Sequence, residues 1–347
     1  MSEPEIRIDQ LTGLRSILAP SRADRPNAFQ LDERPLPDPG GCPFCGGHEQ
    51  DTPGEVWAQR PAGGEPNSGG WAQRAVPNLY PALIDQPDGD RAARDSGFSA
   101  SADPLRSSAR TREPNLFSAR PATGAQEVVV HTPRHVASLA QLDAEELAGA
   151  VAAWRARMSA HGDAALVQLI VNEGAGAGAS REHSHAQLYA LPFVPAAVAR
   201  ERERVASYRE RTGGSGLLTD VLAEEVRRRE RLVAIDDEAA LICPWASGSP
   251  FELRIVPRVQ EARFDAGEGG AAMLGTALRA LTERFGRTPD LNLWVRSAPR
   301  DAEQFHWHID IAPKLTVRAG FELATGVDIN VYPPERAAAD LREALGE

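Results

Sequence analysis

The feature that most constrains this chain is a repeat of order. A β-branched run at Gln126-Glu127-Val128-Val129-Val130-His131 is followed by a helical pattern beginning beside Asp143 and Glu146, a strand from Ala165 to Val171, and the run His183-Ser184-His185-Ala186-Gln187. The same succession returns as Glu252-Leu253-Arg254-Ile255-Val256, an amphipathic stretch from Ala271 to Phe285, a strand Leu291 to Val295, and Phe305-His306-Trp307-His308-Ile309-Asp310. Glu127 to His183 spans 56 positions and Glu252 to His306 spans 54. Two copies of one sheet-plus-helix unit account for this spacing. The expected fold is α+β, a duplicated unit with two antiparallel-sheet-plus-helix halves at 1–195 and 196–347. Charged helices between Val198 and Leu232 join the halves, and a mobile insertion is expected at 86–113. The chain has 347 residues, enough for both halves to bury a core.

As an extended strand, the first histidine run places His183, His185, Gln187 and Tyr189 on one face and Ser184, Ala186, Leu188 and Ala190 on the other. Two imidazoles and an amide are costly to bury without partners, so the row is either a polar edge or a site for a metal, a phosphate or both. The preceding Gly174-Ala175-Gly176-Ala177-Gly178 favours a site, because glycines let backbone N–H groups approach an anion. In the second copy Asp310 stands where the first has Gln187.

A net charge of -11 and acids interleaved with the arginines argue against nonspecific nucleic-acid binding. The N-terminus lacks the basic and apolar regions of a signal peptide, and no apolar run approaches ~20 residues, so a cytoplasmic protein without membrane contact is expected. Three cysteines are too few for a disulfide framework. Cys42-Pro43-Phe44-Cys45 reads as a metal pair, and Cys243, set in Leu241-Ile242-Cys243-Pro244-Trp245, as core.

Six segments in this order resemble the galactose-1-phosphate uridylyltransferase family, within the histidine-triad superfamily. They are Leu11-Thr12-Gly13 with Ser21 to Pro26, Cys42 to Cys45, Asn78 to Leu83, Thr132 to His135, Asn172 through Gln187, and Phe305 to His308. His-Ser-His at 183–185, Gly320 to Gly326 and Ile329-Asn330 look more like the ADP-glucose phosphorylase branch.

The resemblance implies a histidine-triad-like fold and a ping-pong nucleotidyltransferase. His185 matches the family nucleophile, while Gln187 and Ser180 match groups that donate hydrogen bonds to the phosphoryl oxygens. Arg22, Arg25, Asn78, Leu79, Asn172 and Gly178 match nucleotide contacts, and Glu322 matches an acceptor from the hexose hydroxyls, with Phe321 beside it. A structural zinc site maps onto Cys42, Cys45, His135 and His183, with His48 as a rival ligand. A second metal maps onto Glu201, His306 and His308, with Val295 about where a further histidine is expected. The implied partners are a nucleotide sugar and a sugar 1-phosphate or phosphate, with a homodimer as the assembly.

The implied activity is uridylyl exchange in galactose metabolism. Alternatives are adenylyl transfer from ADP-glucose to inorganic phosphate, hydrolysis of dinucleoside polyphosphates at the same histidine, and a zinc-stabilised nucleotide-binding protein without turnover.

Overall fold

The computed structural model describes residues 3–20, 29, 31, 40–84, 119 and 121–346. Arg22, Arg25 and the 86–113 segment lie outside the described residues. Strands β1 (Glu5–Ile8) and β2 (Arg15–Leu18) begin the chain, and β3 (Trp57–Gln59), β4 (Gln73–Pro77) and β5 (Ala125–Val130) precede the first long helix, α1 (Ala144–Ala160). Strands β6 (Leu166–Glu173) and β7 (His185–Leu191) follow, then helices α2 (Ala196–Thr212) and α3 (Leu217–Arg228). The second run comprises β8 (Leu232–Ile235), β9 (Ala239–Ile242), β10 (Leu253–Pro257), α4 (Ala271–Phe285), β11 (Leu291–Arg296) and β12 (His308–Pro313). A short helix α5 (Gly320–Thr325), strand β13 (Asp328–Asn330) and helix α6 (Pro334–Leu345) close the chain.

Ten strands form one sheet in the order β3-β4-β5-β7-β6-β11-β12-β10-β9-β8. Every pairing in it is antiparallel. The order is a palindrome about the β6–β11 pair, so the two repeats meet edge to edge and share one sheet. A second sheet of three strands, β1-β2-β13, joins the two ends of the chain through a parallel β2–β13 pair.

Strand alternation divides the large sheet into two unlike faces. One face carries Leu169, Val171, Ala186, Leu188, Leu291, Leu293, Ile309 and Ile311, all buried in the main apolar cluster with Trp154 of α1 and Leu278 and Leu281 of α4. The other face carries the polar residues. Gln187, Ile170, Trp294 and Asp310 stand directly opposite one another across β7, β6, β11 and β12. Helix α1 starts as its sequence requires: the Asp143 carboxylate accepts from the N–H groups of Glu145 and Glu146, and Glu146 accepts in return from the Asp143 N–H.

Leu293 is fully buried at the seam between the halves. Leu293→Ala is expected to destabilise the protein by about 2–5 kcal/mol. Ile235→Ala, on an edge strand and 40% exposed, is expected to cost less than about 0.5 kcal/mol. Urea unfolding of the two variants measures the difference.

Candidate active site and zinc centre

Strand β7 begins at His185, not at His183, and this two-residue difference organises the site. His183 sits in a bend, so it does not share the strand face of His185 and Gln187 as simple alternation would have it. Its ring turns toward the Cys42–Cys45 knuckle, with Nδ1 3.5 Å from Cys42 Sγ and 3.6 Å from Cys45 Sγ. The His135 ring joins from the other side, with Nδ1 3.3 Å from Cys45 Sγ. The four donor atoms lie within 4.8 Å of one another, the expected Cys₂His₂ set. His48 is engaged elsewhere, its Nδ1 2.9 Å from Asp51 Oδ2.

The chemistry of this cluster suits a zinc ion. His183 Nε2 donates to the Thr132 carbonyl oxygen at 2.9 Å, which leaves its Nδ1 lone pair facing the thiols. Burial pushes the His183 ring down to about 4, so it is neutral at physiological pH. Burial, and then the neighbouring Cys42, push the Cys45 thiol up to about 11. Two sulfurs and two ring nitrogens packed this closely repel as anions and lone pairs until a cation lies between them.

The same bend aims the nucleophile candidate. His185 Nδ1 donates to the His183 carbonyl oxygen at 2.7 Å, so the neutral ring keeps its lone pair on Nε2. Burial holds the His185 ring below its ordinary value, with the Arg181 charge adding to the effect. Phe44, between the two metal cysteines, packs against the His185 ring at 5.2 Å between centroids. Ser184 points to the opposite face and is a link in a buried chain. Trp154 Nε1 donates to His131 Nε2 at 3.0 Å, His131 Nδ1 meets Ser184 Oγ at 2.9 Å, and Ser184 Oγ donates to Glu173 at 3.4 Å. The residue between the two histidines is thus fixed by a proton chain into the core.

Gln187 Oε1 accepts from Tyr189 Oη at 2.9 Å and from Gln126 Nε2 at 3.4 Å. Asn172 Oδ1 accepts from Asn292 Nδ2 at 2.8 Å across the β6–β11 seam. Asn78 donates its backbone N–H to the Gln126 carbonyl, and Leu79 is exposed. Ser180 and Gly178 lie on the exposed end of the glycine loop. Glu322 lies on α5, where it accepts from the Ala319 N–H.

The glycine loop is not an open cradle of amides. Gly176 N–H donates to Asp290 Oδ2 at 2.7 Å, and the N–H groups of Ala177, Gly178 and Ala179 bond to carbonyls within the loop. Gly174 has φ 83°, and a Cβ there would lie 2.2 Å from the Asp290 carboxyl group. Its glycine is required by this close carboxylate as well as by the turn.

The residues matched to a second metal are only partly brought together. Glu201 Oε1 lies 4.0 Å from His308 Nε2, and Asp310 Oδ2 lies 3.4 Å from the same nitrogen. His306 is turned away, with Nε2 2.9 Å from the Pro257 carbonyl and Nδ1 3.3 Å from Thr219 Oγ1. Val295 is buried on the helix-covered face, and it is Arg296 that reaches Glu201, at 3.3 Å. A guanidinium thus supplies positive charge beside Glu201. The donor set does not fit a metal, because one of its three ligands faces elsewhere and a fixed cation adjoins another. Burial raises the Glu201 carboxyl, and His308 and Arg296 partly offset this. Burial also opposes ionisation of Asp310, but Arg254, 2.6 Å away, and His308 hold its carboxyl below the usual range.

The family model described as galactose-1-phosphate uridyl transferase, N-terminal domain, matches residues 75–195. That stretch contains His135, His183, His185 and Gln187. Over that stretch the chain is similar to the galactose-1-phosphate uridylyltransferase family. It is 29% identical to ADP-glucose phosphorylase of Arabidopsis thaliana over 98% of this chain and 93% of that protein. It is 25% identical to a galactose-1-phosphate uridylyltransferase of Cryptococcus neoformans over 98% of this chain and 90% of that one. The crystal structure of the Arabidopsis ADP-glucose phosphorylase with bound ADP-glucose superposes with a TM-score of 0.76 at 26% identity, covering 98% of this chain and 99% of that one.

Sequence reasoning put Tyr189 on the face of His185 and Gln187 without giving it a role, and did not single out Gln126, Phe44 or Asn292. A signal existed for Gln126, a polar residue among β-branched ones in a strand that the alternation points to the same face as Gln187. Nothing in the sequence pairs Asn292 with Asn172.

Metal binding at the Cys₂His₂ centre must displace the Cys45 proton, whereas His183 carries none above pH of about 4. Apparent zinc affinity is therefore expected to rise with pH between 6 and 8, by about tenfold per unit for each proton released. Competition with a chromophoric chelator at several pH values measures it. Cys45→Ser is expected to lower both the zinc content and the melting temperature.

Proposed function

We propose that this protein transfers a nucleoside monophosphate between a nucleotide sugar and a phosphate-bearing acceptor, with His185 as the covalent carrier. The observation that carries the proposal is the 2.7 Å bond from His185 Nδ1 to the His183 carbonyl, which commits the ring to one tautomer and leaves Nε2 as the nucleophile. In the first step Nε2 bonds to the α-phosphorus and the bond from phosphorus to the bridging oxygen breaks. The sugar 1-phosphate leaves with that electron pair. The ring becomes cationic as Nε2 is substituted, and the Nδ1–H bond to the carbonyl strengthens with it. In the second step a phosphate oxygen of the acceptor attacks phosphorus and the Nε2–P bond breaks, restoring the neutral ring.

Zinc, bound at Cys42, Cys45, His135 and His183, would serve as a structural tie. Its four protein ligands leave no position for a reacting group. His183 connects that tie to the chemistry, because its ring lies in the cluster and its carbonyl orients His185.

Two forms of the reaction are set apart by nucleotide and acceptor. One is uridylyl exchange between UDP-glucose and galactose 1-phosphate, in keeping with the uridylyltransferase relatives. The other is adenylyl transfer from ADP-glucose to inorganic phosphate, favoured by the Arabidopsis match along nearly the whole chain. A homodimer is part of the proposal. Val317 and Leu323 are 91% and 74% exposed beside Glu322, apolar surface suited to cover by a second copy.

Incubation with UDP-glucose or ADP-glucose labelled at the α-phosphate, followed by alkaline quench and mass spectrometry, is expected to place one nucleotide on His185. His185→Gly is expected to abolish that adduct and keep its zinc. Absence of an adduct from both nucleotides during turnover defeats the proposal. Light scattering is expected to give twice the chain mass.

A further inference from the structure

The side-chain amide of Gln187 presents either a donor or an acceptor to whatever lies beside His185, depending on which way it is turned. A phosphoryl group requires the donor. Nothing about Gln187 alone fixes this choice, because Tyr189 Oη, 2.9 Å from it, can give or accept a hydrogen bond. Gln126 does fix it. Its Oε1 lies 2.7 Å from the backbone N of Ala82, and a backbone N–H can only donate. Gln126 must therefore turn its oxygen to Ala82 and its NH₂ to Gln187. Gln187 must in turn offer its oxygen, 3.4 Å from Gln126 Nε2. The Gln187 NH₂ is left facing away from both, and it has no hydrogen-bond partner among the described residues.

Gln126 also holds the other end of the relay. It is 8% exposed, and its backbone carbonyl accepts from the Asn78 N–H at 2.9 Å. The loop from Asn78 to Ala82 is thus attached to Gln126 at two points. We propose that Gln126 and Tyr189 are positioning residues that set the polarity of the Gln187 amide, so that the Ala82 N–H of the 78–82 loop dictates a hydrogen-bond donor at the phosphoryl position. This rests on the transfer chemistry assigned to His185 and assigns it two further residues. It also ties the loop holding Asn78 and Leu79 to the group that meets the phosphate, so displacement of the loop is felt at Gln187.

Gln126→Glu keeps size and shape but places an acceptor opposite Gln187, which turns the amide over. With α-labelled UDP-glucose and ADP-glucose in rapid-quench experiments, this variant is expected to slow adduct formation about a hundredfold, the usual cost of losing one such donor, with KM little changed. Tyr189→Phe is expected to slow it several-fold. In a Gln187→Leu background, Gln126→Glu is expected to add less than about twofold, because the group it acts through is gone.

A full additional loss in that background, or a rate within about twofold of wild type for Gln126→Glu alone, overturns the proposal. Neutron diffraction of the unliganded protein tests the amide without turnover. Deuterium is expected on the Gln187 atom facing away from Tyr189, and a Gln187 nitrogen facing Tyr189 overturns the relay. Wild-type protein left unlabelled by both nucleotides counts against the transfer chemistry, and the neutron result still decides the relay.

Discussion

A single residue, His183, joins what holds the first half together to what the site does. Its ring closes the Cys42–Cys45–His135 cluster, and its carbonyl oxygen, two residues before the start of β7, accepts the hydrogen bond from His185 Nδ1. A backbone carbonyl is a good orienter only if its own peptide is fixed. Here the peptide is fixed from both sides: the ring on one flank is anchored through Thr132 and the thiols, and Ser184 on the other through His131 and Glu173. The Cys₂His₂ cluster, the core and the His185 ring are therefore one mechanical unit.

The two halves use the same backbone arrangement for different ends. In the second half His308 Nδ1 lies 3.2 Å from the His306 carbonyl, as His185 does with His183. The difference lies two residues further along the strand. Gln187 is a neutral amide whose oxygen is occupied by its neighbours Tyr189 and Gln126, and it places no charge beside His185. Asp310 is an anion clamped by Arg254, and it faces Nε2 of His308. That carboxylate and Glu201 both lie against this nitrogen. One change from amide to carboxylate, with an arginine to offset its burial, separates an imidazole beside a neutral amide from an ion-paired one.

Much of this was legible before any coordinates. The strands and helices of both copies stand close to where periodicity places them, since alternation and 3.6-residue spacing act locally and the capping pair at Asp143 and Glu146 marks a helix start by itself. The cysteine pair and the first histidine run announced the Cys₂His₂ cluster. Strand alternation failed at His183, because a ring held by a cluster bends the chain before β7 begins. It failed also at the glycine loop, whose amides are taken by Asp290 and by the loop itself. At position 295 a one-residue offset matters fully: Val295 faces the helices and Arg296 faces Glu201.

The sequence alone determined the α+β class, the doubled order of elements and the residue types able to bind a metal and carry a nucleotidyl group, because these depend on spacing along the chain. Only the tertiary structure decided that the copies share one sheet through β6 and β11, that His306 turns away from Glu201 and His308, and that Gln126 fixes the direction of the Gln187 amide. The physical reason is that hydrogen-bond polarity and charge pairing are settled between groups far apart in sequence. Ala82, Gln126 and Gln187 meet only after the strands have paired, and no local rule specifies which atom of an amide will face which neighbour.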